Sequence, residues 1–89
     1  MNNQEVTFVI VHGPGGGPLV GRMNVVAPNP ISADVLHRAF WQMVATWSEP
    51  TRQALVEQLA NSAACVYCWT LIDGSPETRR LHFESLPRF

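Results

Sequence analysis

Cys65 and Cys68 are the residues whose type and spacing most suggest chemistry, since a Cys-x-x-Cys pair supplies half of a zinc site. The stretch that holds them, residues 64–72, reads as a β-strand that is apolar on both sides. Side chains alternate along a strand, so Cys65, Tyr67, Trp69 and Leu71 share one face while Val66, Cys68, Thr70 and Ile72 share the other. The two thiols therefore aim in opposite directions. Their Cα atoms stand about 10 Å apart, beyond the ~7 Å that a disulfide spans. There is no second cysteine pair, and His12, His37 and His82 are scattered. We expect two free thiols that behave as small hydrophobes in a reducing compartment, with no metal and no cofactor.

The run from His12 through Gly13, Pro14, Gly15, Gly16 and Gly17, following an apolar strand, superficially resembles the His-Gly-Gly loop that supplies oxyanion-hole amides in α/β-hydrolases. The resemblance covers about six residues and goes no further. A Gly-x-Ser-x-Gly elbow is absent, and 89 residues are too few for that fold. The run is not a phosphate loop either, because no lysine follows it and the next element is a strand rather than a helix start. With the histidines and the seven acids dispersed, no nucleophile and base are paired. The chain is expected not to be an enzyme, and the glycine-rich run to be a hairpin connection; a ligand-binding or catalytic role for the His12-Gly13 loop ranks third among the readings.

The elements that position these residues follow from periodicity. Residues 6–11 are rich in β-branched types and form a strand apolar on both faces. Residues 19–27 continue as a second strand, with Val20, Arg22, Asn24 and Val26 on one side. After the proline break at 28–30, Ser32 caps a helix, Asp34 sits in its first turn, and Ile31 and Leu36 fit a hydrophobic staple. Leu36, Ala39, Phe40, Met43, Val44 and Trp47 recur at helical spacing. A second helix runs from about Glu49 to Asn61, with Pro50 in its first turn and an inner stripe of Arg52, Leu55, Val56, Leu59, Ala60 and Ala63. Turn chemistry at residues 73–77 precedes a last strand over residues 78–86, whose charges suit an edge. The predicted fold is a single α+β domain over residues 1–89, ordered ββααββ. Four mainly antiparallel strands carry a two-helix hairpin on one face.

Hydrophobic residues make up 46% of the chain and charged residues 15%, a charge-poor composition that favours association. A net charge of -1, with six arginines and no lysine, gives no general attraction to nucleic acid or to anionic membranes. No apolar run is long enough to cross a bilayer and residues 1–5 lack a basic start, so a cytoplasmic location is expected. Two short helices cover one sheet face, yet the strands at 6–11 and 64–72 are apolar on both. Either the 12–18 loop and the tail at 86–89 fold over the second face, or another protein does. Tyr67, Trp69 and Val9 are the expected contacts there. Trp41 and Arg38 join them, because Trp41 falls opposite the apolar stripe of its helix and should lie outside.

The leading expectation is thus a non-enzymatic protein-interaction domain, acting as a homodimer or as a small inhibitor or adaptor of the kind found among phage accessory proteins. The alternative is a single-stranded nucleic-acid-binding domain in which Tyr67 and Trp69 stack on bases and Arg22, Arg79 and Arg80 meet phosphates, a reading that the net charge disfavours.

Overall fold

The computed structural model describes residues 2–12, 17–72 and 75–87. Its order is β1 (Asn2–His12), β2 (Leu19–Ala27), α1 (Ala33–Ala45), α2 (Glu49–Ala60), β3 (Ala64–Ile72) and β4 (Ser75–Leu81). The four strands form one antiparallel sheet in the order β2-β1-β3-β4. The two most apolar strands, β1 and β3, are central, where both edges and one face are covered by protein. The ββααββ fold read from the sequence is the one observed.

Both helices lie on the face that carries Val6, Phe8 and Ile10 of β1 and Val66, Cys68 and Thr70 of β3, all of them buried. Each helix is set by local chemistry. In α1, Ser32 Oγ accepts from the Val35 amide at 3.3 Å, and Leu36, Ala39, Phe40, Met43 and Val44 point into the core as their spacing requires. Thr46 Oγ1 donates to the Met43 carbonyl at 2.7 Å and Arg52 Nη1 donates to the Trp47 carbonyl at 2.6 Å, so the end of α1 is finished by its own turn and by the first turn of α2. Helix α2 follows Ser48, with Pro50 in its first turn, where the missing amide costs nothing. Ser62 then takes a left-handed φ of 57°, and the Ala63 amide donates back to the Gln58 carbonyl at 2.7 Å.

Three expectations are corrected. The first strand begins at Asn2 rather than Val6, because residues 2–5 find partners along β2 from Ala27 to Asn24. The last strand runs from Ser75 to Leu81 rather than over 78–86. Beyond Leu81 the chain leaves the sheet toward α1: the His82 carbonyl accepts from His37 Nε2 at 2.7 Å, and the Phe83 ring packs against Phe40 and Trp41 with centroids 5.7 and 5.5 Å apart. Burying that ring in an aromatic cluster outweighs two further ladder pairs at a sheet edge. Of the stripe expected on the second helix, Leu55 alone is buried, and Ala60 and Ala63 are exposed, because α2 meets the sheet chiefly at β3. Of the turn expected at 73–77, Ser75, Pro76 and Glu77 belong to β4, paired with β3, while residues 73–74 and residues 13–16 of the glycine-rich run lie outside the described residues.

Candidate functional site

The alternation that buries one face of each strand presents the other as an open sheet face. Its register is a grid. Val20, Val9, Tyr67 and Arg80 form one row across β2, β1, β3 and β4, and Arg22, Thr7, Trp69 and Thr78 form the next. Val11 and Cys65 pair beside the first row. Trp69 is 55% exposed, Val11 43%, Val20 58% and Val26 66%, values that mark these side chains as facing solvent. Tyr67, Val9 and Cys65 are half-buried. An apolar patch with two aromatics thus lies on the side away from the helices; of the loop and tail expected as its alternative cover, residues 13–16 and 88–89 lie outside the described residues.

Charge on this face is sparse and arranged at the margins. Arg22 stands on one outer strand and Arg80 on the other, with Glu5 toward the start of β1. Arg80 Nη2 donates to Cys65 Sγ at 3.3 Å, which holds its guanidinium against the patch. Arg79, one position away, points to the helix side. Its Nη1 donates to the Ile31 carbonyl at 2.7 Å and its Nη2 to Thr70 Oγ1 at 3.5 Å, so it fixes the loop before α1 to the sheet. Of the three arginines grouped by sequence as phosphate contacts, Arg79 is a structural tie.

The five expected contact residues divide into three places. Val9, Tyr67 and Trp69 come together on the open face. Trp41 does not join them: it is half-buried on the far side of the sheet, its ring 4.9 Å from Phe40 and 5.5 Å from Phe83. The segment after β4 covers it, and an unbroken last strand through residue 86 hid that contact from the sequence reading. Arg38 is exposed on α1 and lines a hollow above the outer edge of β2, with Met23, Val25, Val35, Ala39 and Gln42. Val20 and Val26 are the open-face residues that the sequence reading placed on the right side of β2 but did not select.

The chemistry-bearing residues are used by the fold. His12 Nδ1 donates to Gln58 Oε1 at 2.5 Å, tying the end of β1 to α2. Both ring nitrogens of His37 face carbonyl oxygens, those of Ala33 at 2.8 Å and His82 at 2.7 Å. Both cysteines are free and on opposite faces, as the alternation requires. Burial raises the Cys68 thiol above its ordinary pKa, an effect that the Arg79 guanidinium and a hydrogen bond from the Arg79 backbone partly oppose. Among the described residues no three His, Cys, Asp or Glu side chains gather as metal ligands. A hollow lined by Cys65, Arg80, His82 and Phe83 measures about 200 Å³, below the ~300 Å³ at which small-molecule pockets begin. No helix among the described residues is long and apolar enough to cross a membrane.

Compared with known protein families, with curated proteins and with solved structures, the chain matches none of them.

Proposed function

We propose that this chain is a non-enzymatic protein-interaction domain that works by presenting its open sheet face to another protein surface, as a homodimer or as a small inhibitor or adaptor. The observation that carries the reading is the exposure of Trp69, Val11, Val20 and Val26 around Tyr67 and Val9 on the face opposite both helices. Indole and phenol rings are the groups that dominate contact energetics, because each buries a large area at little rotamer cost. The binding role is favoured over catalysis because His12, His37 and Cys68 are each engaged in holding elements together. A cytoplasmic setting belongs to the same proposal and suits two free thiols.

Sedimentation of the wild type and of Trp69→Glu, with recovery of bound protein from lysate on each, tests the reading. Loss of self-association or of a recovered partner in the variant is the expected result. A wild type that is strictly monomeric and recovers nothing overturns it.

The second reading, single-stranded nucleic-acid binding, is favoured by one observation: Arg22 and Arg80 flank Tyr67 and Trp69 on the same face. Stacking platforms with marginal cations suit an unpaired strand. Affinity for short oligonucleotides that falls steeply with salt would support it, and no binding at low salt would end it.

A further inference from the structure

The two outer strands of the sheet are protected to different degrees. Strand β4 carries Pro76, Glu77, Arg79 and Arg80 within seven residues, the proline and charges that keep a sheet edge from pairing with another chain. Strand β2 carries one charge, Arg22, in nine residues, and neither a proline nor a lysine. It is long and largely apolar, and no described residue lies along its outer side as a further strand. Above it the hollow that includes Arg38 shows that α1 leaves this margin open. Such an edge is a template for another strand.

We infer that the outer edge of β2 pairs antiparallel with β2 of a second copy of this chain, about a two-fold axis at Met23, to make a continuous eight-stranded sheet. Met23 is the middle residue of Leu19–Ala27, so this register overlaps the whole strand. It sets Val20 opposite the partner copy's Val26 on the open face, twice by symmetry, and so gives cross-strand neighbours to the two most exposed valines in β2. It sets Arg22 opposite Asn24 rather than opposite itself. A shift of the axis to Arg22 would place two guanidinium groups face to face, and a shift to Asn24 would leave Val20 opposite Pro28. The pattern of charge and apolar residues thus selects one register, and with a net charge of -1 the two copies repel each other little.

This contact runs along the strand edge rather than over the face, Val20 and Val26 bordering both, and charge exchange across the seam together with the amide protection of β2 tests it. V20K/V26K puts like charges opposite each other at two places and is expected to weaken dimerisation by about tenfold or more, measured by sedimentation equilibrium. V20E/V26E should do the same, which removes net charge as the cause. V20K/V26E and V20E/V26K should restore the dimer. Within one chain these positions stand about 20 Å apart, beyond the reach of a screened pair, so rescue can arise only between copies. Both valines are exposed, so the variants fold. Hydrogen exchange on the wild type is a second reading: amide protection should rise with concentration in β2 and not in β4. A dimer indifferent to all four variants, a dimer that Trp69→Glu abolishes while V20K/V26K keeps it, or a wild type that stays monomeric would each overturn the pairing. A V20K/V26K monomer that still uses Trp69 to bind another protein would separate the edge from the face.

Discussion

Replacing Trp69 with glutamate asks whether the open face is open. Trp69 is 55% exposed, so of the roughly 250 Å² that an indole can bury, about 110 Å² is covered by its own chain. At about 25 cal/mol per Å² complete removal costs at most about 3 kcal/mol, an upper bound because the unfolded chain already hides part of that area. Glutamate keeps two methylenes over the flanking Thr7 and Thr78 and places a carboxylate in the row beside Arg80. The expected loss is therefore about 1–2 kcal/mol. Phe40, fully buried between Phe8, Trp41 and Phe83, provides the contrast: truncation to alanine should cost about 3–5 kcal/mol. A domain of this size has about 4–13 kcal/mol in all, so W69E stays folded while F40A approaches the threshold. Urea unfolding followed by far-ultraviolet circular dichroism, at concentrations low enough to keep the chain monomeric, reads both. A W69E loss equal to that of F40A would mean that the chain's own residues seal the face, and the argument for a contact surface there would fail.

Further variants test the packing. Ser62 sits at φ 57° without being glycine, so S62G should stabilise the protein by about 1 kcal/mol, seen as a higher urea midpoint at unchanged slope; no shift would refute the strain. A Cβ at Gly21 would run into the Met43 sulfur, so G21A should cost about 1–3 kcal/mol and M43A about 2–5 kcal/mol, with the double variant better than their sum; strict additivity would refute the contact. A disulfide reagent should modify Cys65 in the native protein and reach Cys68 only on unfolding, so that C65S removes the native reaction; fast labelling in C65S would refute the burial of Cys68. Because burial raises the Cys68 thiol, the unfolded chain releases this proton at a lower pH than the folded one does. Stability should be flat below the ordinary thiol pKa and fall as pH rises from there toward the raised folded value, and C68A should flatten that fall.

The sequence made the sheet legible because its strands differ in kind. Residues 64–72 have no polar side, which is the mark of a central strand, and β4 has arginines and a proline, which are the marks of an edge; the observed order places them so. The helix at Ser32 was readable from its cap and its stripe for the same reason, since both are local. What could not be read is what depends on contacts across the chain. Trp41 looked exposed because its helix faces outward there, and only the turn of Phe83 toward α1 covers it. Arg79 and Arg80 look alike in sequence, yet alternation sends one to the Ile31 carbonyl and the other to the open face. Which face the helices choose is equally nonlocal. Both faces of β3 are apolar, and the side carrying the smaller Val66, Cys68 and Thr70 leaves room for Phe40 and Leu55 above it, whereas Tyr67 and Trp69 would hold the helices away.

The edge and the face call for different occupants. Pairing along β2 covers Val20 and Val26 but leaves the aromatic pair uncovered, because Trp69 lies on β3, two strands in from that edge. Across a β2-to-β2 seam the two copies of Trp69 are separated by five strand spacings, about 24 Å, too far for the rings to meet. A second copy at the edge therefore does not substitute for an occupant of the face. It places two identical aromatic patches on one side of a continuous sheet at a fixed separation, and a partner that engages both gains from the second contact without a new diffusional encounter. On this reasoning V20K/V26K should lower the avidity of a face-bound partner that engages both patches by more than it lowers the affinity for a single patch, because Val20 and Val26 also border the face.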